Sequence, residues 1–272
     1  MVYIKAPLVM GIVNVTPDSF SDGGLWFDAG KAVEHGLELV EEGADILDIG
    51  GESTRPGAEE VSEVEELRRV IPVVRELCAK CGVPVSIDTR RPAVAREAIA
   101  AGACIVNEVM PLADVPAIAD VVRESGCGLI TMHMRGTPRT MLSKAVYDDV
   151  VAEVERCLAA ALAFCMERGI AQDRVMIDPG IGFAKTTEHN LALLAAIPRL
   201  SRLAPVLIGA SRKRFIGELC DEPVAEERLG GSVGVAVWCA LQGAAVIRAH
   251  DVKATRQALK MTGELARVDG AR

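Results

Sequence analysis

Short runs rich in Val, Ile, Leu and Ala recur along the chain at 8–15, 46–51, 84–88, 104–109, 128–134, 175–181, 206–210 and 244–249, most bounded by Gly or Pro. Each has the length of a strand buried on both faces, where polar–apolar alternation vanishes because neither side meets water. Between the runs the apolar period changes. Val150, Val151, Val154, Leu158, Leu162 and Cys165 follow helical spacing within 148–168, and Gly169 ends the pattern. Ser62 followed by Glu65 reads as a capping box that opens a helix over 62–78. Helical spacing also covers 30–43, 92–101, 116–125, 188–200, 229–242 and 253–267. Eight β units alternating with eight α units predict a single-domain α/β (β/α)8 TIM barrel over residues 1–272. A doubly wound open sheet is the alternative, because periodicity does not say whether a sheet closes.

Composition narrows the picture. Hydrophobic residues make up 50% of the 272, but aromatics only 3%, so the core must be aliphatic. A net charge of −8 disfavours nucleic acid, whose phosphates call for a basic surface. Residues 1–8 lack the apolar run of a signal peptide, and no stretch approaches about 18 apolar residues, so a cytoplasmic protein away from membranes is expected. Cys78 and Cys81 form a C-x-x-C at the end of a helical pattern, with no second pair and no histidine at ligand spacing. Redox pairs of this type open helices, so these thiols read as ordinary reduced cysteines.

The apolar runs share one further property: nearly all lead into polar groups that are costly to bury unpaired. In order these are Asn14, Glu52-Ser53-Thr54-Arg55, Asp88, Asn107-Glu108, His133, Asp178, Ser211-Arg212-Lys213, and Arg248 with His250. In a barrel all such strand ends meet at one rim, where active sites sit. Arg55, Arg212, Lys213, Arg248 and His250 would make that rim cationic and suit a pyrophosphate, which guanidinium groups grip through two oxygens. Asp88, Asp178 and Asn107 suit a planar heterocycle presenting N–H groups, since carboxylates only accept hydrogen bonds. Metal ligation and an acid pair are open alternatives, as is a structural pairing of Asp88 with Arg90 or Arg91. The polar loops at 11–24 and 50–57 read as lids, and neither matches a Walker or dinucleotide motif.

The strings GIVNVTPDSFSDGG, DILDIGGESTRPGA, SIDT, MHM-x-G-x-P-x-TM, DPGIGF-x-K, SRKRFIG and R-x-HDV resemble, in order and rough spacing, the signatures of the dihydropteroate synthase family. The resemblance runs from Val9 to about Thr262. It implies condensation of (7,8-dihydropterin-6-yl)methyl diphosphate with 4-aminobenzoate in folate biosynthesis, with magnesium (Mg2+) as cofactor. It further implies Asn14 as the metal ligand, and Asp88, Arg55, Lys213 and His250 as catalytic residues. Thr54, Asp88, Asn107, Met132, Asp178, Phe183, Lys213, Arg248 and His250 would hold the pterin diphosphate, the last two at the phosphates. Phe20, Arg55, Pro56 and Ser211 would shape the aminobenzoate pocket. A homodimer is implied, as is membership of a family targeted by sulfonamides. Glu108 stands where the family usually has Asp, and Ala184 where many members have Gly. A pterin-binding methyltransferase barrel and a catalytically inactive pterin-binding paralogue are the rival readings.

Overall fold

Eight parallel strands form where the apolar runs lie. They are β1 (Leu8–Asn14), β2 (Ile46–Gly50), β3 (Val85–Asp88), β4 (Ile105–Glu108), β5 (Gly128–Met132), β6 (Val175–Asp178), β7 (Leu207–Ile208) and β8 (Val246–Ala249). The coordinates are a computed structural model that describes residues 6–16, 29–53, 60–137 and 139–269. The principal helices are α1 (Ala29–Glu41), α2 (Glu63–Lys80), α3 (Pro92–Ala100), α4 (Pro116–Ser125), α5 (Val150–Glu167), α6 (Thr187–Ala195), α7 (Leu229–Leu241) and α8 (Val252–Asp269).

The strands are ordered β6-β5-β4-β3-β2-β1-β8-β7, and an Ile177–Val206 bridge joins the two ends. The sheet therefore closes into a barrel, which removes the open-sheet alternative. Met10, Ile46, Ile130, Leu207 and Val246 fill the barrel interior. A larger aliphatic layer, including Val9, Leu47, Val74, Leu77 and Leu129, lies between strands and helices. Removing one such side chain, as in Leu47→Ala, would cost about 2–5 kcal/mol.

Local expectations hold with three corrections. Ser62 Oγ accepts from Glu65 N at 3.2 Å, but the Glu65 carboxylate binds Arg68 and Arg69 instead of returning to the cap. Only half of the predicted capping box forms, because two guanidiniums on the same helix outcompete one backbone N–H. The helix expected over 188–200 breaks at Ala196 and resumes as Ile197–Leu200, where Pro198 supplies no N–H to continue the ladder. A further short helix, Arg214–Leu219, fills the connection between β7 and α7. All eight cysteines are free.

Candidate active site

Parallel register brings the polar strand ends to one level. Gly50 pairs with Asp88, Asp88 with Asn107, and Met132 with Asp178, all at the carboxyl ends of their strands. A Cβ on Gly50 would stand 3.5 Å from the Asp88 Cβ, an ordinary contact distance that places the two strand ends side by side.

One cation organises the centre. Arg248, on β8, donates from Nε to Asp48 Oδ2 at 2.6 Å and from a terminal nitrogen to Asp88 Oδ2 at 3.0 Å. Asn107 Nδ2 donates to the same Asp48 oxygen at 3.0 Å. Two carboxylates therefore share one guanidinium. Burial and the Asp48 charge push the Asp88 carboxyl up, to about 7, against the pull of Arg248. The expected alternative partners of Asp88 are engaged elsewhere. Arg90 and Arg91 each reach Glu52 at 3.1 Å, and Arg91 also binds Glu66 and the Val61 carbonyl.

The second wall comes from β5, β6 and the loop that follows them. Asp178 Oδ1 accepts from Gly180 N at 2.7 Å, and burial raises its carboxyl above the usual range. Met132 and Phe183 join Val109, Met134, Met141 and Ala184 in a small apolar cluster beside it. Lys213 Nζ lies 4.1 Å from the centre of the Phe183 ring, a cation–π contact. Its charge also acts on Asp88, Asp178 and His250, so these groups converge on one mouth.

The cationic side differs from expectation in three ways. Arg212 turns away: its φ is 59°, and its guanidinium forms a two-pronged pair with Asp251 at 3.1 and 2.6 Å. His250 lies where its charged form is disfavoured. Burial, with Arg248 and Arg212 nearby, drives its imidazole down to about 3. It enters the site as a neutral ring whose Nδ1 lies 3.1 Å from Ser211 Oγ. Arg248, expected at the phosphates, has its guanidinium between Asp48 and Asp88. Asn14 ends β1 beside Gly50, half-buried. Phe20, Thr54, Arg55 and Pro56 lie outside the described residues.

Sequence reading overlooked Asp48, His133 as a loop anchor, and Lys185. Asp48 is fully buried in the middle of β2. An acid inside an otherwise apolar run was the available signal. His133 and Lys185 are buried together, Lys185 Nζ reaching Phe183 O at 2.8 Å and His133 Nδ1 at 3.1 Å. Burial pulls the Lys185 amine down to about 7 and the His133 ring to about 3. Gly180 closes this anchor: its φ is 70°, and a Cβ there would meet the His133 carbonyl oxygen at 2.0 Å.

Comparison with known proteins agrees with this geometry. Residues 10–250 match the family described as pterin binding enzyme. The dihydropteroate synthase of Neisseria meningitidis serogroup B is 49% identical, over 95% of this chain and 92% of that protein. That of Escherichia coli K12 is 46% identical, over 95% and 91%. Among solved structures, Xanthomonas albilineans dihydropteroate synthase with 4-aminobenzoic acid superposes with a TM-score of 0.91 at 50% identity, covering 97% of this chain and 94% of that one. The same enzyme in complex with 7,8-dihydropteroate gives 0.88 at 47% identity, covering 97% and 95%. A closed barrel, acids and a lysine gathered at one mouth, and near-complete coverage by such relatives lead to one conclusion: the chain belongs to the pterin-binding enzymes, as one of the dihydropteroate synthases.

Proposed function

We propose that this mouth joins 4-aminobenzoate to (7,8-dihydropterin-6-yl)methyl diphosphate with the following division of labour. Asp88, Asn107, Asp178 and Lys213 hold the pterin, with Met132 and Phe183 packing around it. Thr54, Arg248 and His250 contact the same substrate towards its diphosphate, and Phe20, Arg55, Pro56 and Ser211 shape the aminobenzoate pocket. The aniline nitrogen forms a bond to the exocyclic methylene as the C–O bond to diphosphate breaks. Pyrophosphate leaves with that electron pair, and the new ammonium loses its proton to solvent. Positive charge spreads over the pterin as the C–O bond stretches, and Asp88 stabilises it. Arg55 and a neutral N–H from His250 stabilise the departing anion, and Arg248 does so by leaving its pairing with Asp88 as the diphosphate binds. Single preorganised groups of this kind contribute at best about 3–4 kcal/mol each. The observation that carries the reading is the convergence of Asp88, Asn107, Asp178 and Lys213 on one mouth. The ligands of the solved relatives, 4-aminobenzoic acid and 7,8-dihydropteroate, support the substrate assignment.

Magnesium fits a substrate-borne role. No group of three or more His, Cys, Asp or Glu side chains among the described residues could hold a metal. The resemblance to the family supports Asn14, whose amide oxygen with phosphate oxygens and water would supply the hard donors that Mg2+ prefers. Bound there, the ion would neutralise charge on the diphosphate.

Three coarser features complete the proposal. Residues 1–272 form one domain, supported by a continuous strand–helix core. The protein acts in the cytoplasm, in keeping with eight free cysteines, and no described helix is long and apolar enough to cross a membrane. It is a homodimer through α7 and α8, which expose Leu229, Trp238, Leu241, Met261, Leu265 and Val268. Sedimentation velocity of wild type and Trp238→Glu tests the dimer.

Pyrophosphate release, measured with pterin diphosphate and Mg2+ with and without 4-aminobenzoate, tests the reaction. Asp88→Asn should lower turnover far more than it weakens pterin binding, and equal loss in both would remove Asp88 from catalysis.

A further inference from the structure

The two oxygens of Asp48 are used unequally. Oδ2 accepts from Arg248 Nε and from Asn107 Nδ2, whereas the buried Oδ1 has no hydrogen-bond partner among the described residues. A fully buried carboxylate with one idle oxygen is poor value for folding alone, since an apolar side chain of similar size commonly serves as well. Its neighbours suggest what it does. An asparagine amide can offer either a donor or an acceptor, and nothing in the residue itself decides which. Here the Asp48 oxygen that already accepts from a guanidinium faces the amide, and it accepts from the –NH2 end. Asp48 also lies two residues deeper along β2 than Gly50, which is level with Asp88 and so with Asn107. The amide nitrogen is therefore committed to Asp48, which leaves the carbonyl oxygen of the same group for another partner.

We infer that Asp48 is a specificity-determining positioning residue, which locks the Asn107 amide as a hydrogen-bond acceptor for the N–H-bearing edge of the bound heterocycle. The inference rests on the reading of Asn107 as a pterin contact. With the lock in place, Asp88 and Asn107 present acceptors side by side. A 2-amino-4-oxo ring offers N–H groups to them. A 2,4-dioxo ring would set a carbonyl oxygen against fixed acceptors and be rejected. Without Asp48 the amide can rotate and serve either ring.

The test compares binding of pterin and of lumazine, its 2,4-dioxo counterpart, to wild type, Asp48→Asn, Asn107→Ala and the double variant. Asp48→Asn should lower the wild-type preference for pterin about tenfold, the scale of one misplaced buried hydrogen bond. The double variant should lose no more preference than Asn107→Ala alone. An unchanged preference in Asp48→Asn, or additive losses in the double variant, would overturn the lock while leaving the site reading intact. If Asn107→Ala does not alter pterin binding at all, the site reading itself fails and the lock with it. Should Asp48→Asn not fold, wild type alone decides the matter. The Asn107 side-chain amide signal in a nitrogen–proton spectrum, assigned by its loss in Asn107→Ala, should exchange slowly with solvent and persist when pterin binds. Exchange as fast as that of exposed amides would contradict the lock.

Discussion

Arg248 donates to Asp88 across 3.0 Å, although 160 positions separate them in the chain. The same guanidinium holds Asp48, so its loss would strand two buried acids together. Arg248→Met should therefore lower stability by about 3–5 kcal/mol at pH 8. The loss should be smaller at pH 5, where Asp88, already shifted up to about 7, takes a proton. Urea denaturation at the two pH values checks this, and equal losses would show that charge compensation is not what Arg248 provides to folding.

Glu108 is fully buried; Oε1 accepts from Met110 N at 2.6 Å, and Oε2 has no partner among the described residues. Burial raises its carboxyl from 4.5 to about 8. Between those values the folded state keeps a proton that the unfolded chain releases, so this group's contribution to stability falls as pH rises. Glu108→Gln removes that term. The melting temperature of the variant relative to wild type should climb from pH 5 to pH 8 and level off above. A difference independent of pH would mean that Glu108 ionises normally in the folded protein.

Lys185 fastens the loop after β6 to the end of β5 through Phe183 O and His133. Lys185→Met keeps the apolar stem but leaves the Phe183 carbonyl without its donor, which should cost about 1–3 kcal/mol. Because Phe183 belongs to the proposed pterin wall, KM for pterin diphosphate should rise while KM for 4-aminobenzoate stays near wild type. Parallel increases in both constants would point to general damage.

Chelation of divalent metal should abolish pyrophosphate release and leave binding of a pterin without diphosphate unchanged. Added Mg2+ should restore activity. Asn14→Ala should raise the Mg2+ concentration for half-maximal rate about tenfold. A titration identical to wild type would remove Asn14 from the metal site.

The barrel was largely legible in the chain because its signals are local. Apolar runs without alternation report strands buried on both faces, and a hydroxyl followed three residues later by an acid, as in Ser62 and Glu65, reports a helix start. The limits are equally physical. Ser62 capped its helix as read, but Glu65 did not return to the cap, since Arg68 and Arg69 lie one turn away. Arg212 looked like a neighbour of Lys213 in one cationic cluster. A left-handed backbone at that residue sends its side chain to Asp251 instead. By residue type His250 counts among the cations, whereas burial beside Arg248 and Arg212 disfavours its charged form.

By itself, then, the order of residues determined the alternation of strands and helices and marked which polar groups stand at strand ends, because both depend on neighbours in the chain. Only the tertiary structure decided that Asp48 meets Asn107 and Arg248, across 59 and 200 positions, and which groups near them carry charge. Pairing and desolvation are set by distances through space, and those distances exist only once the barrel has closed.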